Sequence, residues 1–417
     1  MAGNNPQNNE IHDKKWAIVS MASIPLIMTL GNSMLIPVLP IMEQELGISK
    51  LQSSYIISVY SIVGIFLIPI AGFLSDRYGR KNVIIPSLLI AAIGALIAGI
   101  ASWKMDDPFM MILIGRILQG VGASGAAPIV LPLVGDMFKK DKDVSSTLGI
   151  IETSNTFGKV LSPILGALLA GIIWFLPFFS IPVFCLISVV LIFFLIKKPK
   201  DDEKGPAFKE FMQNTKEVFR EHKRWLLAIF AIGAILMFIL FGILFYLSSI
   251  LEEVYDLKGI KKGLYLAIPL AALCLASFVA GKKIKDNLIV MKWITFAGIV
   301  VSGAAVVAIP FSEALPYLLI VFLICGIGIG AVLPCMDALI TESIKKSVRG
   351  TITAVYSSAR FVGVAAGPPV IALLMKQNLT WLVSLLAILA LIAAFLAFKT
   401  IKPDASGGEK SNQDLPS

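Results

Sequence analysis

Long apolar runs separated by short polar breaks fill almost the whole chain. A membrane-spanning helix needs about 20 mainly apolar residues to cross roughly 30 Å of hydrocarbon. Twelve runs meet that length: 16–40, 53–74, 82–103, 109–137, 145–170, 173–196, 225–250, 261–281, 288–310, 315–341, 350–375 and 379–399. Lone strands leave backbone polar groups unpaired in lipid, so the runs are predicted to be helices. The longest polar stretch between runs is 197–224, and it divides them six and six. The predicted order is a tail 1–15, a six-helix bundle 16–196, a linker 197–224, a second six-helix bundle 225–399 and a tail 400–417. The last tail is too polar to fold alone and is expected to be disordered. The fold class is an all-α membrane protein of two pseudo-symmetric halves. A substrate site at the interface of two such halves, near the bilayer midplane, is a known transporter plan.

Composition agrees. Of 417 residues, 57% are hydrophobic and 15% charged, against about a quarter charged in soluble domains. The net charge of +9 raises the question of nucleic acid, and the placement of the basic residues answers it. With the N-terminus set in the cytoplasm, 26 Lys and Arg fall on the inner side and 6 on the outer, leaving Arg116, Lys159, Lys292 and Arg360 within spans. That is the positive-inside bias, so both termini are predicted cytoplasmic and no nucleic-acid partner is expected. The six tryptophans (16, 103, 174, 225, 293 and 381) sit at or near span ends, as an interfacial aromatic belt requires. The run after the polar tail is too long for a signal-peptide core and reads as a first span. The four cysteines lie inside apolar runs, so neither disulfides nor a Cys-based metal site is expected. No Gly-x-x-x-x-Gly-Lys-Ser/Thr phosphate loop occurs, so direct ATP use is not expected. His12 and His222 lie outside the spans, which leaves no histidine relay.

The most specific stretch joins the second and third spans: Gly72-Phe-Leu-Ser-Asp-Arg-Tyr-Gly-Arg-Lys81. Two glycines permit a tight turn, and Asp76, Arg77, Arg80 and Lys81 set opposite charges close together at a membrane face. This loop resembles the Gly-x-Leu-Ala-Asp-Arg-x-Gly-Arg-Lys signature of the major facilitator superfamily of secondary transporters. It matches at Gly72, Leu74, Asp76, Arg77, Gly79, Arg80 and Lys81. The resemblance covers about residues 14–400 and implies a cytoplasmic gate. Asp76 would face the start of the eleventh helix, whose dipole favours an anion there. Arg80 would pair with Asp136. The second-half counterpart, Gly281-Lys-Lys-Ile-Lys-Asp286, is too degenerate to count as a gate.

Span four carries Ile114-Gly-Arg-Ile-Leu-Gln-Gly-Val-Gly, similar to the family's Arg-x-x-Gln-Gly-x-Gly motif linked to proton coupling. A charge in hydrocarbon marks function by default. The alternative for Arg116 is a side chain snorkelling to the headgroups. Span five carries Gly158-Lys-Val-Leu-Ser-Pro-Ile-Leu-Gly166, which resembles the antiporter motif Gly-x-x-x-Gly-Pro-x-x-Gly-Gly of family exporters. Ser162 and Ala167 replace glycines but stay small, so plain close helix packing also accounts for the pattern. Span eleven carries a cleaner copy through Gly363, Gly367 and Pro368. Aligning Pro163 with Pro368 sets Asn155 opposite Arg360.

Glu152 and Lys159 are seven residues apart, two turns along one helix face. Lys159 and Arg360 are expected near the midplane. Glu152 serves either as a proton carrier or as half of a static pair with Lys159 or Arg360. Many related drug antiporters have an acid in span one, where this chain has Asn32. The candidate assignments are thus proton coupling at Glu152 and Arg116, and a substrate cavity at Asn32, Asn155, Lys159 and Arg360.

The resemblance implies a non-enzymatic, cofactor-free carrier of the bacterial plasma membrane, monomeric by analogy. It resembles bacterial twelve-span drug/proton antiporters, and the leading expectation is proton-coupled efflux of drugs or other small amphiphiles by alternating access. The two midplane cations favour an anionic cargo, so a dedicated exporter of one metabolite such as a siderophore stands beside it. A lipid or glycolipid flippase on the same fold is the third reading.

Overall fold

The computed structural model describes residues 6–138, 141–196, 208–284, 287–343 and 346–401. Fourteen α-helices follow in order among them. They are α1 (Pro6–Ser33), α2 (Leu39–Leu46), α3 (Lys50–Tyr78), α4 (Arg80–Lys104), α5 (Phe109–Ser124), α6 (Val130–Met137) and α7 (Asp141–Ala170). Then come α8 (Leu176–Leu195), α9 (Phe208–Glu253), α10 (Gly259–Ile284), α11 (Leu288–Ala308), α12 (Leu315–Ser343), α13 (Lys346–Met375) and α14 (Leu379–Thr400).

Two expected spans are each built from two helices. The first breaks between α1 and α2, where a short 3-10 turn, Ile36–Val38, holds Pro37 and is followed by Pro40 in the first turn of α2. The fourth breaks between α5 and α6 around Gly125 and Pro128. Proline removes a backbone donor and crowds the preceding turn, so the chain bends instead of running straight. Two expected irregular segments are helical. Residues 6–15 belong to α1, with Pro6 at its first position, where a missing N–H costs nothing. Residues 208–224, within the expected linker, form the start of α9. After Gly205-Pro206 the chain has no breaker until Gly233 and is rich in Lys, Glu and Arg, all good helix formers. The expected C-terminal tail, from residue 402, lies outside the described residues, as does 197–207.

Eleven helical segments among the described residues are long and apolar enough to cross a bilayer. The helix that falls short is α7, which carries Glu152, Asn155 and Lys159. Its polarity is affordable because it is packed along α1 and α10. Pairing between helices repeats in the two halves. Helix α7 packs along α1, as α13 packs along α9. A Cβ added at Gly166 would strike the Met34 carbonyl, and one at Gly363 would strike the Ala234 carbonyl. The small residues of the two proline motifs therefore let backbones meet closely. Between halves, α3 lies along α13 and α7 along α10. The result is two pseudo-symmetric six-helix bundles facing each other. One face carries the turn at Gly79 (the motif face), and the opposite one carries the turns at Gly47 and Gly259 (the far face).

Candidate functional site

Between α3 and α4 the chain turns at Gly79, whose φ of 91° suits a residue without a Cβ. Arg80 follows at once. Its Nε donates to Asp136 Oδ2 of α6 at 2.9 Å, one Nη donates to Ser75 Oγ at 2.7 Å, and the same Nη pairs with Asp76. The expected Arg80–Asp136 pair is formed, and Asp76 joins it. Gly72, one turn earlier, lies beside Ala354 of α13. Lys81 donates to the Phe193 and Ile196 carbonyls, closing the end of α8, where cations favour the helix dipole.

Arg116 does not snorkel. It is wholly buried, and its guanidinium makes four hydrogen bonds with neutral groups. Nε donates to the Ile56 carbonyl at 2.8 Å, Nη1 to the Gly31 carbonyl and Gln119, and Nη2 to Asn32 Oδ1 at 2.7 Å. Its centre also lies 4.6 Å from the Tyr60 ring centroid. Asn32 is therefore a buried ligand of Arg116 rather than a cavity wall, a correction to the sequence expectation. The planar guanidinium fork gathers α1, α3 and α5 at one point, which an amine could not do.

The remaining charged candidates converge between the halves. Lys159 on α7 is buried, 8% exposed, and its Nζ has no hydrogen-bond partner. It shares a pocket with Ser33, Ser162, Leu240, Phe241, Leu244 and Leu270, from both halves. Ser162 turns its hydroxyl back onto the Lys159 carbonyl. Glu152, two turns away, accepts from Asn155 at 3.4 Å, and Asn155 accepts from Thr29 of α1 at 2.6 Å. Arg360 of α13 reaches neither Glu152 nor Lys159. It pairs at 3.4 Å with Asp337 of α12. Asp337 escaped the sequence reading because it lies near the end of an apolar run, where an acid reads as a boundary. Tyr356, one turn from Arg360 and facing it, has a buried hydroxyl without a hydrogen-bond partner. Glu152, Lys159, Asp337 and Arg360 are close enough to act on one another electrostatically.

The far face is shut by contacts between halves. Lys262 of α10 is buried. Its Nζ donates to Glu252 at 2.7 Å and to the Pro37 carbonyl at 2.8 Å. Gln44 also reaches Glu252, Ser248 donates to the Ile36 carbonyl, and Ser58 donates to the Ala365 carbonyl. At the rim Lys50 pairs with Glu253.

The Major Facilitator Superfamily family model matches residues 21–368 and 291–416. The chain belongs to this superfamily of membrane transporters. Its relatives include the bacillibactin exporter of Bacillus subtilis (strain 168), 50% identical over 89% of this chain and 92% of that protein. Multidrug resistance protein 2 of the same organism is 28% identical over 57% of this chain and 58% of its own length. Among solved structures, a bacterial homologue of the human lysosomal transporter Spinster, inward-facing and unoccupied, superposes with a TM-score of 0.75. It is 16% identical and covers 96% of this chain and 98% of its own. That likeness concerns the fold alone. The superfamily membership accounts for the repeated pairing of α1 with α7 and of α9 with α13. The four-charge cluster lies where the two halves meet.

Proposed function

We propose that this chain exports an anionic metabolite of the siderophore class across the bacterial plasma membrane, by alternating access and with both termini in the cytoplasm. The observation that carries this reading is Lys159: a buried ammonium with no hydrogen-bond partner, in an apolar-walled pocket between the halves. A buried charge is stable only when paired, so the site is suited to an incoming anion. The 50% identical relative named as a bacillibactin exporter supports the same cargo class.

In this reading the Asp76–Arg80–Asp136 cluster closes the cytoplasmic side, and the Glu252–Lys262 cluster closes the outer side. Protons entering at Glu152 return the empty carrier. An inside-negative potential favours anion exit as well, by about 2.3 kcal/mol per charge per 100 mV. Arg116, held by neutral partners, acts as a fixed pin for span four and not as the proton carrier. The protein works as a monomer with no cofactor. Multidrug efflux is the second reading, supported by the relatives named for multidrug resistance.

Everted vesicles with a pH-gradient dye test both readings. Bacillibactin is expected to dissipate the gradient with the wild type, and a panel of unrelated cationic drugs is not. Lys159→Met is expected to raise the KM for bacillibactin at least tenfold. Several cations collapsing the gradient, with bacillibactin inert, would support multidrug efflux instead.

A further inference from the structure

The two buried or half-buried ion pairs between helices of the second half differ in build. Glu252 and Lys262 are 1–2% exposed, meet at 2.7 Å and are held by Pro37 and Gln44 as well. Arg360 and Asp337 meet at 3.4 Å, at the long end of the hydrogen-bond range, with side chains 18% and 36% exposed. The first pair is a fixture. The second is longer and more exposed, the geometry of a pair that an incoming group can reach.

The neighbours of Asp337 give that access a purpose. From α7 it is faced by Glu152 and Lys159, and from α13 by Arg360 and Tyr356. Two acids and two bases balance when the site is empty. An anion arriving at the unpartnered Lys159 finds Arg360 already engaged and can gain it only by displacing the Asp337 carboxylate.

We propose that Asp337 is the internal counter-ion of the cargo site. It yields Arg360 to the anionic group of the cargo on loading and reclaims Arg360 to expel the cargo on release. This rests on the anionic-cargo reading above and adds the residue that sets affinity against turnover. Neutralising Asp337 leaves Arg360 free to hold the anion, so binding tightens. It also leaves the empty carrier with an unpaired guanidinium that must pass through the closed state, and uncompensated charge is costly there. Asp337 is a positioning residue, since it acts on cargo through Arg360.

The test uses full-length protein in proteoliposomes, with bacillibactin flux counted by mass spectrometry. Asp337→Asn is expected to lower KM at least threefold and kcat at least tenfold, and Asp337→Glu to restore both towards the wild type. Arg360→Gln is expected to raise KM, and adding Asp337→Asn to it no longer lowers KM. A purely structural role would lower kcat and protein yield without tightening KM. An unchanged or higher KM in Asp337→Asn overturns the proposal. Absence of bacillibactin flux in the wild type overturns the cargo reading instead. The exchange is then decided by calorimetric titration of naphthalene-2-sulfonate into nanodisc-held protein. Tighter binding in Asp337→Asn that vanishes in the double variant with Arg360→Gln upholds it, and equal affinity overturns it.

Discussion

Arg116 shows how one residue can be legible as important and illegible in its role. A lone arginine inside an apolar run is conspicuous, and its motif pointed to proton coupling or snorkelling. Its complete burial excludes snorkelling. Four hydrogen bonds to Ile56, Gly31, Gln119 and Asn32 satisfy the guanidinium inside the first half. Gln119, three positions on, belongs to the motif, but the other three partners lie 60, 85 and 84 positions away, where no local pattern could announce them. Arg116→Ala strands those acceptors in a buried site, where each costs about 1–3 kcal/mol. The expected outcome is a clear drop in the melting temperature of the purified protein in detergent. Arg116→Lys keeps the charge but not the fork, and is expected to recover only part of the loss. A variant as stable as the wild type would show that the hydrogen bonds are dispensable.

At the scale of elements, the seal on the far face depends on the end of α9 meeting the start of α10, the break between α1 and α2, and α2 itself. Pro37 makes that break, and its free carbonyl takes the Lys262 ammonium. Removing one partner of a buried ion pair leaves the other uncompensated, at a cost of about 3–5 kcal/mol. Lys262→Met is therefore expected to shift the carrier towards opening at the far face. A cysteine introduced at Ser248, which is 1% exposed, reports this by faster maleimide labelling in the Lys262→Met background. Adding Glu252→Gln is expected to return labelling most of the way, because the stranded charge is gone. Labelling that does not respond to Lys262 would mean that packing alone holds the face shut.

For the whole molecule, the proposed function requires that two similar halves close alternately around one site. The motif face holds Arg80 between Asp76 and Asp136, and the far face holds Lys262 between Glu252 and Pro37. Each cluster stabilises closure on its own side, so weakening one biases the whole carrier. Asp76→Asn is expected to abolish transport with normal expression and membrane insertion, read by vesicle flux beside an immunoblot. Normal flux in that variant would remove the motif loop from the transport cycle.

Hydropathy, spacing and charge bias by themselves determined the number of spans, their helical state and the division into halves, because lipid imposes these on each segment independently. They also marked Asp76, Arg80, Asp136, Lys159 and Arg360, since charge at a membrane face or within a run stands out without knowledge of its neighbours. Only the tertiary structure decided who meets whom. It gave Arg360 to Asp337 rather than Glu152, left Lys159 without a partner, turned Asn32 to Arg116 and buried Lys262 against Glu252. The physical reason is range. Crossing a membrane is a property of 20 consecutive residues, whereas pairing a buried charge depends on helices brought together from distant parts of the chain.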